Sequence, residues 1–192
     1  MNGRWAAVVL AGGRGRRLGG VDKPALAVGG RTLLDGVLVA CQGAEPIVVV
    51  GPRRVTGAAV RWAREEPPHA GPLAAVAAGL SAVPLSAEVT AVLAADLPNL
   101  RPDTVHRLHA ALRTAAGRPD GAILVDELGR PQWLCGVWRT AGLRAALTAA
   151  GELADRPLRA VLTTLATVQV SAEAGEAFDI DTMDDLRALP GD

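Results

Sequence analysis

Short apolar runs alternate with stretches of helical spacing along almost the whole chain. Ala6–Leu10, Ile47–Val50, Val89–Ala94 and Ala122–Val125 are unbroken apolar or near-apolar runs bounded by turn residues, the pattern of buried strands. Val60–Ala63 and Thr167–Val170 are shorter strand candidates, and Gln132–Val137 also reads as extended. Between them, Thr32–Cys41 places Leu33, Leu34, Val37, Leu38 and Cys41 on one helical face. Helices are expected from Gly71-Pro72 to about Ala82 and over Pro102–Ala116, each with a proline in the first turn, where its missing N–H costs nothing. Thr140–Ala149, Pro157–Leu165 and a terminal Met183–Leu189 complete the helical set.

Strands alternating with helices predict an α/β chain with a mostly parallel sheet covered on both faces. The expectation is a single domain over residues 1–192, with a three-layer α/β/α, Rossmann-like architecture. Such sheets bind ligands at the carboxyl ends of their strands, near the switch in strand order. Two polar features fall there. One is the loop after the first strand; the other is Asp96, just beyond Val89–Ala94.

Charge narrows the partners. Twenty basic residues balance twenty acidic ones, which argues against a general nucleic-acid binder. No apolar run is long enough for a membrane span, and the first residues lack a signal-peptide pattern, so a cytoplasmic protein is expected. Cys41 and Cys135 are far apart in sequence and show no metal spacing. Both read as core thiols in a reducing compartment. His106 and His109 stand three apart on a helix, with no third ligand in view.

The cations carry more information. Of the twenty, nineteen are Arg and one is Lys, and that Lys23 closes the loop Leu10-Ala11-Gly12-Gly13-Arg14-Gly15-Arg16-Arg17-Leu18-Gly19-Gly20-Val21-Asp22-Lys23-Pro24. Glycines let backbone N–H groups approach an anion, and the cations neutralise it. A lone ammonium where Arg is the default suggests a compact point charge rather than a planar fork. The loop is a poor dinucleotide fingerprint, because Leu18 stands where the third Gly belongs. It is equally poor as a P-loop, because Asp22 precedes Lys23 and Pro24 follows it.

Leu10–Gly13, Arg17, Leu18-Gly19 and Asp22-Lys23 resemble, in order and spacing, the signature of the nucleotidyltransferases of molybdenum cofactor synthesis, which are glycosyltransferase-A-like NTP transferases. The resemblance continues through Gly71-Pro72-Leu73-Ala74, Asp96-Leu97-Pro98 and Phe178-Asp179-Ile180-Asp181-Thr182. It implies transfer of GMP from GTP to the terminal phosphate of molybdopterin, with Mg²⁺ and release of pyrophosphate. Arg17, Lys23 and Asp96 would then be catalytic. Leu10, Ala11, Gly12, Gly13, Lys23, Glu66 and Asp96 would bind nucleotide, Glu66 being preferred over its neighbour Glu65. Asp96 and Asp181 would hold the metal. The resemblance also implies GTP and the molybdenum cofactor as partners, and handover of the product to molybdoenzyme-maturation proteins.

The residue types suit that chemistry. The attacking phosphate is already anionic, so the task is positioning and charge stabilisation rather than proton abstraction. Mg²⁺ takes one or two carboxylates plus phosphate and water oxygens. Alternatives stay open. Asp96 could cap the following helix, and Asp181 or Thr182 could cap the last one. Asp179 and Asp181 stand where the guanylyl branch commonly has Asn, so a CTP-dependent cytidylyltransferase is the nearest rival. Another phosphorylated acceptor, or a non-catalytic nucleotide-binding module, are further readings. Gln132-Trp133-Leu134 matches a stretch near the pterin side of the family's cleft.

Overall fold

Seven strands form one sheet in a computed structural model that describes residues 4–13 and 20–180, together with Thr182 and Asp185. Strand β1 (Trp5–Leu10) runs through the middle, with β4 (Ile47–Val50) on one side and β6 (Val89–Ala94) on the other, both parallel to it. Beyond β4 lies β5 (Arg61–Ala63). Beyond β6 come β8 (Pro131–Arg139), β7 (Gly121–Val125) and β9 (Thr167–Ser171). The chain fills the β4–β5 side first and then crosses to β6. The order therefore switches between β1 and β6, and a cleft opens at the carboxyl ends of those two strands.

Only β8 is antiparallel to its neighbours. Its direction brings the start of the strand, not its end, to the carboxyl edge of the sheet. Register is broken there as well. Ile123 pairs with Gly136 but Leu124 pairs with Gln132, so Trp133, Leu134 and Cys135 bulge from the β7 ladder. Bulges next to a site re-aim side chains. Here the bulge turns a stretch of strand into cleft wall.

Helices cover both faces. α1 (Leu33–Ala40) and α3 (Pro102–Thr114) pack with Ala7, Val9, Val49 and Leu93 on one face. α2 (Pro72–Ser81), α4 (Thr140–Ala150) and the short α5 (Arg159–Leu162) pack with Ala6, Val8, Val50 and Val92 on the other. The central strands are apolar on both sides because both sides are covered. Cys41 and Cys135 are buried free thiols, each pushed up to about 12 by burial and so chemically quiet.

Three segments depart from the sequence expectation. The helix expected over Pro157–Leu165 shortens to α5, because the hydroxyls of Thr163 and Thr164 bond back to the carbonyls of Arg159 and Val161. A small antiparallel hairpin, β2 (Ala27–Val28) with β3 (Arg31–Thr32), precedes α1. Most of Met183–Leu189 lies outside the described residues. At its start, Thr182 Oγ1 accepts from Asp185 N–H at 3.2 Å, and Thr182 N–H donates to Asp185 Oδ2 at 2.6 Å, a reciprocal cap.

Candidate active site

The loop after β1 continues the sheet before it leaves it. Ala11 N–H donates to Val50 C=O at 2.8 Å, and Ala95 N–H donates to Leu10 C=O at 3.0 Å. Gly51, in the left-handed region at φ +144°, lies directly beneath this turn. A Cβ on Gly51 would stand 2.8 Å from the Ala11 carbonyl group and 2.9 Å from Gly12 N. Only glycine lets the two backbones approach that closely.

Leu10, Gly12 and Gly13 line a cavity of about 310 Å³ with Glu65, Gly71, Pro72, Ala75 and Asp96. The first turn of α2 forms one wall, so the positive end of a helix dipole faces the space. Ala11 does not line the cavity; its side chain is buried in the core. Arg17 and Asp181 lie outside the described residues, as do Arg14 and Arg16.

The fold places the two adjacent glutamates differently. Glu66 is exposed and does not line the cavity, whereas Glu65 is buried and does. Glu65 is turned inward by the bend that follows β5, where its Oε1 accepts from His69 N–H at 3.0 Å. Two adjacent glutamates give no sequence signal for which of them points in.

Lys23 and Asp96 meet across the cleft. Nζ lies 3.3 Å from Asp96 Oδ2, with side chains 17% and 27% exposed. Each backbone is held. Lys23 N–H donates to Val21 C=O at 3.0 Å and Leu26 N–H to Lys23 C=O at 2.9 Å. The preceding Asp22 is gripped by Arg54, whose Nε and Nη2 donate to the two carboxylate oxygens at 2.8 and 2.5 Å. That fork holds the Asp22 carboxyl below its ordinary value. Arg54 comes from the loop after β4, and sequence reasoning did not single it out. Its partner is 32 residues away, so no local pattern marks it.

Asp96 also borders a second cavity, of about 320 Å³, lined by Leu97, Gln132, Trp133, Leu134, Leu158 and Asp179 among others. Its wall is the β8 bulge. The C-terminal segment closes this side, with Ile180 N–H donating to Asp96 C=O at 3.3 Å. Ile180 and Leu33 are buried together, with Leu26, Val28 and Phe178 packed against them. One small apolar cluster thus joins the hairpin after Lys23 to the segment carrying Asp179.

That segment is anchored further back. Glu176 is buried and accepts from Arg107, from the Thr104 hydroxyl, and from Glu173 N–H at 2.9 Å. Arg107 also donates to Ser171 C=O at 3.0 Å. Burial works to raise the Glu176 pKa, but the hydrogen bonds from Arg107, Thr104 and Glu173 outweigh it and hold the carboxyl below its ordinary value.

Among the described residues, no three of His, Cys, Asp and Glu converge into a metal cage. His106 is exposed, and His109 packs edge-on against Trp5 at 4.9 Å. A carboxylate that borders two ligand-sized cavities, as Asp96 does, suits a hard cation that takes most of its oxygens from phosphates and water, as Mg²⁺ does.

A glycine turn at the switch point, a helix N-terminus and a lysine–aspartate pair between two cavities suit a protein that handles phosphate groups. The chain belongs to the MobA-like NTP transferase family, whose domain model matches residues 7–170. It is 36% identical over 157 residues to the molybdenum cofactor guanylyltransferase of Cereibacter sphaeroides, covering 78% of this chain and 77% of that protein. The fold is shared with a molybdopterin-guanine dinucleotide biosynthesis protein A from Archaeoglobus fulgidus, at TM-score 0.70 and 22% identity over 95% of each chain. It is shared equally with the 2-C-methyl-D-erythritol 4-phosphate cytidylyltransferase of Thermus thermophilus, at TM-score 0.71 and 22% identity over 95% of each chain. As a member of the MobA-like family the chain is a nucleotidyltransferase. Fold alone does not choose the base, since a cytidylyltransferase has the same one. Among the described residues, no helix is long and apolar enough to cross a membrane.

Proposed function

We propose that the protein transfers GMP from GTP to the terminal phosphate of molybdopterin and releases pyrophosphate, with Mg²⁺. The observation that carries this reading is Asp96, which borders both cavities. GTP occupies the cavity under the glycine turn and the α2 N-terminus. The pterin lies against Trp133 and Leu134, and its phosphate comes to Asp96. The attacking oxygen is already anionic, so no side chain has to remove a proton. The Gly13 backbone N–H holds a phosphate oxygen, while Lys23 and Arg17 stabilise the charge that builds on the leaving pyrophosphate. Asp96 and Asp181 would hold Mg²⁺, which would supply neutralisation of the charge on the reacting phosphates. Glu65 rather than Glu66 faces the nucleotide. Residues 1–192 act as one domain in the cytoplasm, and the product passes by handover to molybdoenzyme-maturation proteins.

The support for GTP over CTP is the guanylyltransferase relative and Gly12, which lacks a side chain where a bicyclic base needs room. The test is pyrophosphate release from GTP and from CTP in Mg²⁺, with and without molybdopterin. Acceptor-dependent release, faster with GTP by on the order of 10-fold or more, is expected. Equal or faster release from CTP would overturn the base assignment, and release that ignores the pterin would overturn the acceptor.

A further inference from the structure

The Lys23–Asp96 pair sets two binding events against each other. Asp96 Oδ2 takes the Lys23 ammonium at 3.3 Å in a partly buried cleft. A divalent cation on the same carboxylate would sit about 2.1 Å from its oxygen and within a few ångströms of Nζ. Two cations that close, screened by little water, repel. Neither backbone can yield. Asp96 is tied through its carbonyl to Ile180, and Lys23 is fixed by Val21, Leu26 and the Arg54–Asp22 fork. What can move is the four-carbon lysine stem. A triphosphate in the neighbouring cavity offers the ammonium another anion.

We infer that Lys23 is a lock on the cation site: it competes with a divalent cation for Asp96, and nucleotide phosphates release the carboxylate by drawing the ammonium away. Cation and nucleotide then bind cooperatively, each raising the affinity of the other by the same factor. Lys23 enforces the order, because a cation alone meets a neutralised carboxylate. The inference rests on the nucleotide-transfer reading for the identity of the releasing ligand, not for the competition itself.

The sign of the effect separates a lock from an ordinary phosphate ligand. Mn²⁺ serves as the probe, its bound fraction read by electron paramagnetic resonance on the full chain without nucleotide. Lys23→Ala and Lys23→Met should both bind Mn²⁺ more tightly than the parent, on the order of 5- to 10-fold. The same variants should bind GTP more weakly in the presence of Mn²⁺. Adding Asp96→Asn to Lys23→Ala should erase the gain. Unchanged or weaker Mn²⁺ binding in both Lys23 variants would overturn the lock, as would a gain that survives Asp96→Asn. A failure of GTP-dependent transfer would leave the Mn²⁺ comparison intact, so the two readings fail separately.

Discussion

The cleft and the far side of the sheet each contain an ion pair, and the two are built differently. Lys23 and Asp96 meet at 3.3 Å between side chains that both reach solvent. Arg107–Glu176 is one edge of a network that also takes in Thr104, Glu173 N–H and Ser171 C=O, around a glutamate only 6% exposed. The first pair lies in the cleft with both side chains partly exposed, so a ligand can reach either one. The second saturates its carboxylate, and breaking it strands charge in the protein. Exchangeable charge belongs where chemistry happens. Saturated charge belongs where the chain must stay, and here it fixes the segment that delivers Ile180 to Asp96.

The sharpest break in this comparison is Asp96→Ala. Turnover should fall by about 10³-fold or more, while the melting temperature barely moves. Near-normal pyrophosphate release by the folded variant would remove Asp96 from the reaction. Glu176→Ala should behave in the opposite way, costing about 3 kcal/mol of stability in denaturant melts. Its carboxyl is held below the ordinary value, so its contribution is full above that value and disappears as pH falls through the folded one. A variant as stable as its parent at neutral pH would show that the network is not saturated. His109 gives a smaller and differently placed acid effect. Burial, then the charge of His106, pushes it down to about 4. The unfolded chain takes up its proton first, so stability is complete above about pH 6.5 and falls on the way to pH 4. His109→Leu should flatten that slope, and an unchanged slope would assign it to other groups. The mildest change is Gly12→Ala. Among the described residues, a Cβ there meets only Gly51 Cα and Val50 O, each at 3.9 Å, so their packing accepts it. Binding of GTP should weaken a few-fold more than binding of CTP. Equal weakening in titrations would take Gly12 out of base selection.

Most of the fold was legible because each strand and helix carries its own period. β4 and β6 occupy the residues their apolar runs predict, and a mostly parallel sheet follows from the alternation. The hairpin was missed although its signal was present. Gly29 and Gly30 both adopt positive φ, the two-residue turn that Gly-Gly favours, but its strands are two residues long and show no period. Of the candidate site, the residues named from local motifs that the fold brings to one cavity are Leu10, Gly12, Gly13 and Asp96. The site was not legible where it rests on contacts across the chain. Arg54 with Asp22, and Arg107 with Glu176, are ordinary surface residues until the fold joins them. The choice of Glu65 over Glu66 turns on the direction of one bend.

Gly51 also bears on redesign. Because any side chain there collides with the Ala11–Gly12 backbone, the floor of the cleft cannot be raised or lowered by substitution without displacing the turn itself. Variation that retunes the pocket for a larger or smaller base is therefore confined to its rim and side walls, at Gly12, Ala75 and Leu134. A library aimed at altered nucleotide choice should diversify those three positions and hold Gly51 constant.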